Sequence, residues 1–132
     1  SLHDALPILL ADIARNHIIP AALNYQNRLI ENVKGLKEIF GDKEFKTLAK
    51  EQLELISDIS GNVSQIKVGV DELLAAKEKA KNTSGSQKQA EEYCNNVIPF
   101  FEVVRKASDA LEMMVDDELW PMTKYRELLF TR

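Results

Sequence analysis

Ile56-Ser57-Asp58-Ile59-Ser60-Gly61-Asn62-Val63-Ser64-Gln65-Ile66-Lys67-Val68-Gly69-Val70-Asp71-Glu72-Leu73 carries the clearest pattern in the chain. Ile56, Ile59, Val63, Ile66, Val70 and Leu73 recur in steps of three and four without slippage, which gathers them on one helix face as a heptad seam. Phe45, Ala49 and Gln52 hold the same phase upstream. The pattern therefore predicts one helix over 43–81 with Gly61 and Gly69 inside it, each costing about 1 kcal/mol relative to Ala. At a rise of about 1.5 Å per residue, such a helix spans on the order of 55–60 Å. That exceeds the width of a compact globule of this chain length, so an elongated domain is expected.

The flanking segments are helical by the same criterion. Over 9–40 the stripe is Ile18, Ala22, Tyr25, Leu29, Val33, Leu36 and Phe40. Gly41 offers a stop after it, and Asp42 a cap for the next helix. Helices joined by so short a turn fold back as antiparallel neighbours. Asn82-Thr83-Ser84-Gly85-Ser86-Gln87 reads as the second loop. Over 87–116, Ala90, Cys94, Val97, Phe101, Val104, Ser108, Leu111 and Val115 form a third stripe, widened by Tyr93, Phe100, Ala107 and Met114. Thr123 is placed to cap a short helix over 123–130. Pro20 and Pro99 fall inside helical patterns, where each removes a backbone donor and is expected to kink its helix. The expected fold is all-α: an elongated antiparallel bundle of three long helices, two of them proline-kinked, plus a short C-terminal helix.

Composition agrees. The chain has 132 residues, 45% hydrophobic and 29% charged, enough for a core, and its five Gly and four Pro are too few for a many-stranded β fold. A net charge of -4 with both signs interspersed argues against nucleic acid as a partner. The single cysteine, Cys94, excludes an internal disulfide and a multi-cysteine zinc site and calls for no oxidising compartment. No uninterrupted apolar run approaches the roughly 20 residues of a membrane span. No membrane association and a cytoplasmic location are the expectations. Ser1-Leu2-His3-Asp4-Ala5-Leu6-Pro7-Ile8 has a back-translation, TCCCTACACGACGCTCTTCCGATC, that looks like a sequencing adaptor read in frame. Residues 1–8 are accordingly expected to be a non-native leader and 9–132 the helical domain, with the natural protein extending upstream of Leu9.

Catalytic constellations are missing from this pattern. A nucleophilic site needs Ser, Cys or Thr beside a base. With His3 in the leader, the imidazole left is His17 and the thiol Cys94, and their positions suggest a partly buried ring and a thiol packed on the apolar stripe. Neither GxxxxGK[ST] nor GxGxxG occurs, so these residues offer ATP no phosphate cradle. Asp116, Asp117 and Glu118 are oxygen ligands by type, but adjacent carboxylates on a helix point apart and the calcium-loop spacing is lacking. No catalytic, cofactor-binding or metal residue is assigned. Trp120, Pro121, Tyr125, Leu128, Leu129 and Phe130 differ in kind. So much apolar and aromatic surface in a short tail must dock, on its own bundle or on another domain or subunit.

Ile18-Ile19-Pro20-Ala21-Ala22-Leu23-Asn24-Tyr25-Gln26, Leu111-Glu112-Met113-Met114-Val115-Asp116-Asp117-Glu118-Leu119-Trp120-Pro121 and Lys124-Tyr125-Arg126-Glu127-Leu128-Leu129-Phe130 resemble the C-terminal region of type III glutamine synthetases. The resemblance covers nearly everything after Ile8; Thr123 departs from it, standing where many members carry proline. It implies a parent enzyme that ligates ammonia to glutamate with ATP and magnesium or manganese, and that assembles as stacked rings of identical subunits. It also implies that the catalytic residues lie in an upstream β/α domain of the same polypeptide, with the present helices serving structure or assembly. The alternative reading is a free-standing helical adaptor or coiled-coil module that binds partner helices through the 56–73 seam.

Overall fold

The computed structural model describes residues 2–115, and among them there is no strand. Helix α1 (Leu2–Ile13) runs through a π turn (Ala14–Ile18) into α2 (Ile19–Ile39). Two short connections then frame α3 (Asp42–Leu48) and set up α4 (Lys50–Lys81). After a second loop, α5 (Ser86–Glu92) passes through another π turn (Tyr93–Val97) into α6 (Ile98–Met114). The chain is thus helical without interruption over 2–39 and again over 86–114. The positions expected in a helix over 123–130, and the acidic run Asp116–Glu118, lie outside the described residues.

Side-chain bonds fix the pairing of the continuous 2–39 rod, helix one, with α4. Arg15 donates to Asp71 at 2.7 Å, Gln26 to the Ser60 hydroxyl at 2.7 Å and to the Ile56 carbonyl at 2.9 Å, and Gln52 to Asn32 at 3.0 Å. Partner numbers fall as numbers on helix one rise, so the two run antiparallel. Helix α6 returns along the other side of α4, with Val104 opposite Gly69. Gly69 is needed there: a Cβ at this position would stand 2.9 Å from Val104 Cγ2, closer than carbon atoms tolerate. The seam read from the sequence is the centre of the core. Ile59, Ile66, Val70 and Leu73 are buried, with Ile56 and Val63 packed at its edge. Leu10, Ile13, Ala14, Ile18 and Ala22 face them from helix one, and Val97, Val104, Ala107 and Leu111 from the third.

Both π turns stand immediately before an Ile–Pro pair. Ile19 N–H donates to the Ala14 carbonyl and Ile98 N–H to the Tyr93 carbonyl, each five residues back. Proline brings no N–H and its ring crowds the carbonyl four residues earlier, here Asn16 or Asn95. Widening the preceding turn by one residue relieves that crowding while keeping the other donors bonded. The wider turn also corrects the third stripe. Tyr93 takes the inward place one turn above Val97, and Cys94, expected as a packed thiol, is exposed.

Further expectations are also revised. Asp42 makes no cap bond; Gly41 occupies the cap position and Asp42 is the first helical residue, where its charge favours the helix N-terminus. Gly41 has φ -68, so the first helix ends by the extension of Phe40 (φ -110, ψ 153) and not through a left-handed glycine. The helix expected over 43–81 is broken at Ala49 (φ -93, ψ 1), which is fully buried and still on the seam's face. Finally, the helix Asp4–Ile39 is long and apolar enough to cross a membrane by length and composition, although it holds no uninterrupted apolar run of that length. Its apolar residues are interrupted by few charges, and 44% of the apolar window is buried inside the fold, against α4 and α6.

The core stops where α6 stops. Val115 is 4% exposed, and between residues 30 and 58 Ala49 alone is buried. Below that level the α2–α3–α4 hairpin stands as a two-helix extension.

Candidate functional site

Each candidate from the sequence has a definite place or none. Trp120, Pro121, Tyr125, Leu128, Leu129 and Phe130 lie outside the described residues. His17 is half-buried on the first π turn and Cys94 exposed on the second. Their levels along α4 differ: the first π turn sits by Asp71 through Arg15, whereas Tyr93, next to Cys94, lines a cleft with Lys77, Ala80 and Lys81. About ten residues of helix, on the order of 15 Å, separate those levels. The structure does not bring the imidazole and the thiol together as a base and a nucleophile. Among the described residues no group of three His, Cys, Asp or Glu side chains converges to hold a metal ion.

What they do offer is a long apolar groove between α4 and α6. Its widest part, about 530 Å³, is lined by Ser64, Gln65, Val68, Gly69, Glu72, Phe100, Val103 and Lys106. A shallower continuation of about 350 Å³ shares Glu72 and Phe100 and reaches Ala75, Ala76, Lys79 and Asn96. Val68 is 56% exposed and Val103 44%. The floor is aliphatic and aromatic and the rim carries one carboxylate, two ammonium groups and amides. Exposed apolar surface of this kind is the type that suits packing against another apolar surface. Val68 and Val103 were missed from the sequence because neither falls on an inward stripe; each stands next to a residue of the α4–α6 contact, Gly69 or Val104. The signal was present: two valines out of phase with seams that already accounted for the core.

A second, polar cleft of about 280 Å³ closes the opposite end of the bundle, between Asp4, Lys77, Lys81, Ser86, Gln89 and Tyr93. Burial raises the Tyr93 phenol above its ordinary value of 10.0, with the charges of Asp4 and Cys94 adding to the rise. Its acidic member belongs to the segment expected to be a non-native leader.

Among the described residues, fold and surface together give an all-helical bundle with a buried apolar core and an apolar groove between α4 and α6. No protein-family model matches the chain. Over 124 residues, 94% of its length, it is 45% identical to the glutamine synthetase of Bacteroides fragilis (strain YCH46). Over 123 residues, 93% of its length, it is 28% identical to the type-3 glutamine synthetase of Dictyostelium discoideum. The chain is similar over nearly its whole length to a segment of glutamine synthetases, a type-3 enzyme among them, and the resemblance to that family holds. It spans 17% of the length of each of these two relatives.

Proposed function

We propose that the chain is the C-terminal helical segment of a longer type III glutamine synthetase, with a structural and assembly role. The observation that carries this reading is the asymmetry of the match: almost all of the chain aligns, against 17% of each relative. A segment of that size with no convergent donor set of its own contributes shape and contact, and the parent's chemistry belongs to residues elsewhere in the polypeptide. On this reading the parent joins ammonia to glutamate at the expense of ATP, with magnesium or manganese held in an upstream catalytic domain. The parent is a cytoplasmic homo-oligomer of stacked rings. The fragment's architecture is the elongated antiparallel bundle of three long helices, bent at Pro20 and Pro99, with Trp120 to Phe130 as further docking residues.

The groove at Val68, Phe100 and Val103 supports this role, because an exposed apolar trough between two helices costs solubility unless a partner fills it. In the complete enzyme that partner is the upstream catalytic domain or a neighbouring subunit. Genomic DNA reading upstream of Leu9 tests the proposal. The expected result is an open frame that continues into glutamine synthetase sequence; an in-frame stop just before Leu9 leaves a free-standing helical adaptor and overturns the fragment reading. In solution, a fragment carrying such a surface self-associates, whereas an adaptor complete in itself stays monodisperse.

A further inference from the structure

Helix one and α4 continue as a pair well beyond the end of the third rod, and the register says by how much. From the Gly69–Val104 contact, antiparallel counting puts Val115 level with Asp58, so about 24 Å of the α3–α4 side extends below it to Asp42. Along that extension apolar side chains are left half-covered. Leu55 stands on the line of α4, in sevens from Gly69, that faces α6 higher up, and no described helix continues along it. Val33, Leu36 and Phe45 are half-buried, and Leu48, seven residues before Leu55, is 45% exposed. The chain resumes from the buried Val115 at the top of this bare face. The 17 residues that follow hold Leu119, Trp120, Tyr125, Leu128, Leu129 and Phe130. At about 1.5 Å per residue over the helix expected at 123–130 and up to about 3.3 Å per residue elsewhere, these 17 residues are long enough to run the length of the uncovered face.

We propose that the hairpin face below Val115 is the docking site for this chain's own residues 116–132, anchored by Trp120, Tyr125, Leu128 and Phe130. Start point, reach and apolar content agree, and the face needs no partner from elsewhere. The α4/α6 groove is a poorer seat for the same segment, since Val103 lies back up α6 from Val115 and the tail would have to reverse to reach it. That groove remains for the rest of the enzyme.

Trp120 is the single tryptophan, so its emission reports on the tail alone. In the 132-residue chain carrying Cys94→Ala, a nitroxide is attached to cysteine at Leu48→Cys in one sample and at Val68→Cys in another, both with helicity checked by circular dichroism. The expected result is loss of most of the Trp120 emission from the label at position 48, independent of protein concentration, and little loss from position 68. In the unlabelled chain Leu55→Asp should then shift Trp120 emission to the red at unchanged helicity. Quenching from position 68 but not 48, or from neither, overturns the proposal. So does quenching from position 48 that grows with concentration, which would make a second copy the occupant.

Discussion

Replacing Gly61 and Gly69 by alanine, one at a time, should shift stability in opposite directions although both glycines lie inside α4. Alanine in a helix interior is favoured over glycine by about 1 kcal/mol, because glycine loses more backbone freedom on folding. At Gly61 nothing lies within 4 Å of the new methyl, so Gly61→Ala should raise the unfolding free energy by about that amount. At Gly69 the methyl meets Val104 Cγ2 at 2.9 Å and Val103 Cγ1 at 3.5 Å. Val104 is fully buried and β-branched, with one preferred rotamer in a helix, so it has nowhere to turn and α6 must move away. Overpacking of this kind costs about 1–3 kcal/mol, which outweighs the propensity gain and leaves Gly69→Ala less stable by on the order of 1 kcal/mol. Urea unfolding followed by circular dichroism reads both, with equal slopes required for the comparison. Val104→Ala supplies the control: in that background the methyl at position 69 has room, and Gly69→Ala should become stabilising. Equal gains from Gly61→Ala and Gly69→Ala in the wild-type background would refute the close helix contact.

Leu73 is fully buried at the centre of the core, so Leu73→Ala should cost about 2–5 kcal/mol in the same urea assay, and a loss under 1 kcal/mol would contradict the packing. Cys94 should react with a thiol reagent in the native chain nearly as fast as in urea, and strong native protection would restore the packed-thiol expectation. Tyr93 has a raised folded-state pKa, chiefly from burial, so the folded chain holds that proton more tightly than the unfolded one. Its contribution is complete below the ordinary value of 10.0 and is lost as pH rises through the raised value. Tyr93→Phe should therefore flatten the fall in urea midpoint that sets in above pH 10.0, and parallel profiles for the two proteins would count against the burial.

The seam from Ile56 to Leu73 was legible because an uninterrupted helix converts spacing directly into facing direction. Six side chains in steady phase leave one way to be buried together, and the structure buries or half-buries all six. Features that depend on a partner were harder to see. Gly69 looked like a tolerated weakness in a helix until Val104 stood opposite it, and Val68 looked incidental until Val103 and Phe100 made the other wall of a groove. Phe40 continued the first stripe on paper but is 36% exposed, because the stripe runs past the point where a third rod is present to cover it. Periodicity says which side chains share a face and is silent about where the opposing face ends.

The misplacement of Cys94 has a more specific cause. In a regular α-helix, Cys94 and Tyr93 flank the position one turn above Val97 almost equally, so spacing alone favours neither strongly. A π turn between Tyr93 and Val97 settles the matter by using one more residue per turn, which carries Tyr93 over Val97 and rotates Cys94 outward. The sequence held a sign of this that periodicity does not weigh. Asn16-His17-Ile18-Ile19-Pro20 and Asn95-Asn96-Val97-Ile98-Pro99 share Asn, an aliphatic residue, Ile and Pro at the same four places, and both carry the wide turn. The prolines therefore do more than break a hydrogen bond. Each resets the phase of its rod by about one residue, so that the segments on either side of it, Leu10 and Ile18 in one rod and Tyr93 and Val104 in the other, can meet the same face of α4.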